Sequence, residues 1–162
     1  MSLIMHDIIP KQFLTRGPTL QEIFDIQDRL CQGTPVEMPA TNQWAPHMCI
    51  RSLFIPAGTI LVGKMHRMEH FNILLKGSIT ILMDDGPKLF EAPCIFVSKA
   101  GTKKIGYAHT DVWYANTHVT ETTTEEELEA EVIVPEDRLR DSKTGKLLVD
   151  CLEQLQLNFG EV

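Results

Sequence analysis

From Cys49 onward the chain alternates apolar and polar residues, and the alternation breaks at short, regular intervals. Cys49–Ile55, Thr59–His66, His70–Lys76, Ser78–Met83, Lys88–Glu91, Cys94–Ser98, Lys103–Ala108 and Val112–Thr120 each carry a period of two. That period marks strands with one face buried. The breaks fall at Pro56-Ala57-Gly58, Gly77, Asp84-Asp85-Gly86-Pro87, Ala92-Pro93, Ala100-Gly101 and His109-Thr110-Asp111. Asp85-Gly86 is a hairpin signal, because glycine takes positive φ without steric cost. Many short strands with Gly and Pro between them predict an antiparallel sandwich or barrel.

The flanks read differently. Residues up to Gly17 predict a loose arm with a short strand at Ile8-Ile9. After Pro18, Thr19-Leu20-Gln21-Glu22 is a capping-box pattern, and Ile23, Phe24, Ile26 and Leu30 recur at helical spacing. An amphipathic helix over Pro18–Gln32, packed on the domain, follows. Pro35, Pro39 and Pro46 rule out regular interior structure over Thr34–His47, which places His47 in a surface loop. Beyond Val119, Thr122-Thr123-Thr124 before Glu125-Glu126-Glu127 predicts a helix start. Val132-Ile133-Val134 reads as an edge strand or a segment docked across the barrel. Leu147, Leu148, Cys151, Leu152, Leu155 and Leu157 give a second amphipathic helix after a linker over Asp141–Gly145. Three regions result: 1–48, an arm and helix; 49–120, the β core; 121–162, an acidic segment and terminal helix.

Candidate chemistry gathers at one reversal. His66 and His70 bracket Arg67-Met68-Glu69 between the runs Thr59–His66 and His70–Lys76. Read as a hairpin in a closing sheet, this segment aims both imidazoles into one interior. Imidazole nitrogens suit Zn²⁺, Ni²⁺, Fe²⁺ or Mn²⁺.

Composition narrows the partners. The 162 residues carry a net charge of −7, with 43% apolar and 23% charged residues, which suits a soluble domain and argues against a nucleic-acid groove. Four cysteines, Cys31, Cys49, Cys94 and Cys151, stand far apart, so paired cysteine zinc ligands are not expected. No apolar run has the length of a membrane span and no leader pattern opens the chain. The expectation is a cytoplasmic protein with free thiols, and with Cys94 buried and inert. Trp113, Tyr107 and Tyr114 read as barrel packing.

The central segment, about residues 50 to 120, resembles the cupin superfamily, small jelly-roll β-barrels that usually hold one divalent metal. Of the first cupin motif, His66 falls on the second His, His70 on the Glu and Gly77 on the closing Gly, while Lys64 stands at the first His. Of the second motif, Gly101 matches the Gly, Lys99 replaces the Pro and Lys104 replaces the His. Phe54–Thr59 and Ala100–Lys103 resemble cupin turns. The ensemble is similar to small cupin-like proteins of bacteriophages and their hosts. The resemblance implies a mainly β fold, a cupin-type antiparallel β-barrel (jelly roll) with N-terminal and C-terminal helices.

It also implies a site in the barrel mouth. A third metal donor is expected from His118, if Val112–Val119 pairs back on Lys103–Ala108, or less directly from His109 in the turn. Glu69 points elsewhere by parity. Lys64, Lys104, Asn72 and His109 complete the expected ligand-binding set. Two lysines repel a cation, by about 4 kcal/mol for unit charges about 4 Å apart at an effective dielectric of 20. The same pocket therefore also reads as an anion site for a carboxylate, phosphate or nucleotide.

Three functional readings stand. One is a small-molecule site with a divalent metal, in which any catalysis runs through a metal-held water or a histidine base. Another is a non-catalytic phage-type module that binds an anionic ligand or a host protein. In the third the barrel is structural and the acidic C-terminal segment engages a partner. Barrel edges and the Leu-rich terminal segment make a homodimer the expected assembly.

Overall fold

The computed structural model describes residues 10–148. Its strands are β1 (Ala40–Ala45), β2 (Met48–Ile55), β3 (Ile60–Val62), β4 (His70–Lys76), β5 (Ser78–Met83), β6 (Gly86–Glu91), β7 (Cys94–Ser98), β8 (Ile105–Ala108) and β9 (Val112–Val119). They form a five-stranded sheet in the order β1-β2-β9-β4-β7 and a four-stranded sheet in the order β3-β8-β5-β6. Every pairing is antiparallel. The eight strands β2 to β9 make a jelly roll by this order alone, with β1 added at one edge. Between the sheets Ile55, Leu74, Ile79, Ile81, Phe90, Ala108 and Val112 form the main core.

Two predicted pairings are corrected. The segment holding His66 and His70 is not a hairpin: β3 pairs with β8, whereas β4 pairs with β7 and β9 in the other sheet. The chain between them crosses from sheet to sheet at one end of the sandwich. Nor does β9 pair back on β8, because the turn at His109–Asp111 also changes sheets. Alternation marks a strand but not its neighbour, so both crossings escape a reading of period alone. A third difference concerns Pro35, Pro39 and Pro46, which confine β1 to the exposed edge without preventing it. The sheet therefore begins at Ala40.

Gly77 turns β4 into β5 at φ +87°, and a Cβ there would lie 2.2 Å from the Asp111 carbonyl oxygen. Gly77→Ala is expected to cost about 2 kcal/mol from the positive φ alone, and more from the clash. Urea unfolding would read this as a lower midpoint.

The helix α1 (Leu20–Leu30) begins with the predicted capping box. Thr19 Oγ1 accepts the Glu22 amide at 3.3 Å, and Glu22 accepts the Thr19 amide at 2.8 Å. Its Ile23 and Ile26 pack with Phe13 on Leu82 and Ile105, which covers the outer face of the four-stranded sheet. Phe24 turns towards Met65, Val134 and Leu139.

A second helix, α2 (Glu125–Val132), is capped by Thr124 and carries Glu125, Glu126 and Glu127 in its first turn, where acids suit the dipole. Leu128 and Val132 pack on Cys49 of β2. The strand-like Val132–Val134 segment then docks at the barrel mouth, as one of its two predicted roles requires. The Arg67 amide donates to the Val132 carbonyl at 2.8 Å, and the Val134 amide to the Met65 carbonyl at 2.9 Å. These two bonds flank His66, which bridges Ile133.

Leu147 forms an extended bridge with Arg140 rather than opening a helix. The remainder of the predicted terminal helix, and the strand predicted at Ile8-Ile9, lie outside the described residues. Cys31, Cys49 and Cys94 are free, with Cys94 half-buried rather than buried. No described helix is long and apolar enough to cross a membrane.

Candidate functional site: three histidines at the barrel mouth

Three elements converge at one end of the sandwich. His66 comes from the crossing between sheets, His70 from the first position of β4 and His118 from the end of β9. The β4–β9 ladder pairs Asn72 with Asn116, and two further steps along that register set His70 opposite His118. Ring centroids are 4.1 Å apart for His66–His70, 5.4 Å for His66–His118 and 5.7 Å for His70–His118. His70 and His118 are buried, and His66 is half-buried.

Burial keeps all three neutral. It is the largest cause of a pKa lowered to about 3 for His66, with the neighbouring His70, His118 and Lys104 adding to it. Burial likewise lowers His118 to about 4, helped by His70 and Arg51. His70 is also lowered, first by burial, against the opposing effect of its bond to Met68. That bond settles a tautomer. A carbonyl only accepts, so His70 Nδ1 at 3.0 Å from the Met68 oxygen carries the proton. The other ring nitrogen of neutral His70 then keeps its lone pair.

His66 and His118 bind protons in the unfolded chain near pH 6.5 but in the folded one only as pH falls towards 3 and 4, and His70 is shifted in the same direction. Stability is therefore full above about pH 6.5 and declines as pH falls below it. The upper bound is about 1.4 kcal/mol per pH unit for each histidine. Urea titrations of chelator-treated protein between pH 7 and 5 should show this decline, and His118→Asn should flatten it. Equal slopes in the two proteins would contradict the assignment.

Lys104 enters the same space. Its ammonium donates to Ser98 Oγ and lies 5.3 Å from the Phe96 ring centroid. Burial lowers its pKa to about 8, so it remains mostly cationic at neutral pH. Ser98 leads to a buried polar network centred on Asn72. The Asn72 amide donates to Ser98 Oγ at 2.6 Å and to the Phe96 carbonyl at 3.3 Å. Its oxygen accepts from the Tyr114 hydroxyl at 2.5 Å and from the Asn116 amide at 3.1 Å. Asn72 is thus consumed by the barrel wall beneath the histidines. Ser98, Tyr114 and Asn116 were not among the predicted site residues. Tyr114 and Asn116 share the inward parity of His118 along β9, which was the available signal.

Two predicted members stand apart. Lys64 is exposed and pairs with Glu129 of α2, because the chain leaves its ladder at Val62 and strand parity no longer carries to position 64. His109 lies at the opposite end of β9 from His118, about 20 Å away at 3.3 Å per residue. It is exposed and bonds Thr80 Oγ1 at 2.7 Å. Glu69 is exposed, as its parity predicts.

A cavity of about 150 Å³ opens on the Met65 side of the His66 loop, lined by Lys64, Lys103, Glu129, Ile133 and Glu136 among others. It holds no histidine. Lys103 is already satisfied there by the Gly63 carbonyl at 2.9 Å and Glu136 at 3.2 Å, with its ammonium 5.1 Å from the Phe24 ring centroid. Lys103 thus ties α1, the crossing and the segment after α2 together rather than offering a free amine.

No protein-family model matches the chain, and no curated protein does. Solved structures are similar to it at low identity. A cupin superfamily protein from Desulfitobacterium hafniense shares 9% identity at a TM-score of 0.46, covering 55% of this chain and 83% of that one. A cupin-2 domain protein from Shewanella frigidimarina shares 9% at 0.44, covering 58% and 91%. A cupin with a double-stranded β-helix fold from Methanocaldococcus jannaschii shares 14% at 0.44, covering 51% and 80%. The jelly roll rests on this chain's own strand order.

Proposed function

We propose that this cupin-like jelly roll binds a small molecule at the barrel mouth, and that His66, His70 and His118 hold a divalent transition metal there. The observation that carries the reading is the meeting of three neutral imidazoles, from three separate segments, within 5.7 Å of one another. Metal ligation requires unprotonated imidazole, which burial already secures. The Met68 carbonyl orients one ring in the manner of an outer-shell partner of a metal ligand. The donor set suits Zn²⁺, Ni²⁺, Fe²⁺ or Mn²⁺ in composition. Among the described residues no three such side chains already stand arranged to hold an ion.

Each residue has a distinct part. His66, His70 and His118 donate nitrogen, Asn72 and Ser98 stiffen the wall beneath them, and Lys104 places a cation beside the ligand. A bound metal would supply Lewis acidity and a lowered pKa for bound water. Elemental analysis of protein purified without a histidine tag tests the reading. About one equivalent of metal, present on purification or taken up from added Zn²⁺ or Ni²⁺, is expected. No uptake of either ion would overturn it.

Lys104 favours a second reading, in which the mouth takes an anionic group such as a carboxylate. Arg51 is nearby but already tied to Glu125 at 2.6 Å, which leaves Lys104 as the charge available to a ligand. Acetate or phosphate should then raise the melting temperature of the wild type and not that of Lys104→Met. An equal rise in both would exclude Lys104.

A further inference from the structure

The two sheets differ on their outer sides. Helix α1 packs on the four-stranded sheet at Leu82 and Ile105, while the outer face of the five-stranded sheet is apolar and, among the described residues, uncovered. Phe71, Leu75, Ile95, Val97, Trp113 and Val119 all point out from it and are between 45% and 76% exposed. Apart from Lys76 at the end of β4, the outward positions of β2, β4, β7 and β9 include no Asp, Glu, Lys or Arg. Lys76, opposite Trp113 beyond a bulge, stands at the margin. Trp113, expected to pack inside the barrel, is therefore an outside residue.

We propose that a second copy of this chain seats its own five-stranded sheet on this face. Three observations favour that occupant. Its six large apolar residues are 45–76% exposed and stand on adjoining strands, a patch beyond the singly scattered apolar residues of an ordinary surface and of the kind a stable interface buries. Among its outward positions on β2, β4, β7 and β9 the one charge is Lys76 at the margin, and a sheet face so nearly uncharged matches itself in an isologous pair. Finally, the described chain ends on the opposite side of the sandwich. The Leu147 amide donates to Gln21 of α1 at 3.1 Å, on the side of the four-stranded sheet.

Sedimentation of the full chain tests the proposal. The wild type is expected to be a dimer at micromolar concentration. Trp113→Glu combined with Ile95→Lys should be monomeric with unchanged far-UV circular dichroism. If the double variant fails to fold, Ile95→Lys alone should still weaken association at least about tenfold. Leu89→Lys, on the exposed side of the other sheet, should leave the dimer intact. A monomeric wild type, a dimer indifferent to Ile95→Lys, or equal weakening by Leu89→Lys would each overturn it.

Discussion

Replacing His118 by alanine is expected to abolish metal uptake while leaving the barrel folded. His118 lies at the end of β9, past the main core, and its ring meets His66 and His70. Its removal takes one of three nitrogen donors and leaves a pair, with Lys104 still beside it as a repelling charge. A two-imidazole site with no carboxylate has little hold on a divalent ion. The wild type should gain melting temperature with added Zn²⁺ or Ni²⁺, since a ligand that binds only the folded state stabilises it. His118→Ala should show no gain. Its metal-free stability should equal or exceed that of the wild type in mild acid, because a buried imidazole that must stay neutral is gone. Retained uptake in this variant would mean that His118 is a bystander.

Asn72→Ala should have the largest effect on stability. Asn72 is 1% exposed and makes four hydrogen bonds, to Ser98, Phe96, Tyr114 and Asn116. Truncation leaves the half-buried Tyr114 hydroxyl, Asn116 amide and Phe96 carbonyl without this partner, at about 1–3 kcal/mol for each group that water does not reach. A net loss of about 3–5 kcal/mol follows if water does not enter to replace the amide. Urea unfolding measures it. Asn72→Leu should not rescue the protein, because the loss lies in unmet polar partners and not in volume. A loss below about 1 kcal/mol would show that the network is not closed.

How much of this was legible in the sequence differs between wall and mouth. The limits of β4, β5 and β7 fall where the alternation puts them, because period two and the Gly and Pro breaks are local properties. The pairing of those strands is not local. The chain crosses between sheets after Val62 and after Ala108, and no residue at either turn announces the crossing. His118 reaches His70 across β4–β9, not through the predicted pairing with β8, so its place was foreseen on the wrong ladder. Lys64 was assigned inward by its match to a motif position, yet Glu129, far away in sequence, takes its charge. The Val132–Val134 dock was legible as one of two roles, and the bonds to Met65 and Arg67 decided between them. Ser98, Tyr114 and Asn116 were readable from parity, but their convergence on Asn72 depends on two ladders meeting and is invisible along one chain.

The central claim is that three histidines act as one donor set. X-ray absorption of the Ni²⁺- or Zn²⁺-loaded full-length protein measures this most directly, through the imidazole scattering around the ion. Three imidazole nitrogens are expected in the wild type, and two or fewer in whatever metal His66→Ala retains. A wild-type ion surrounded by oxygen, or by a single imidazole, would contradict it.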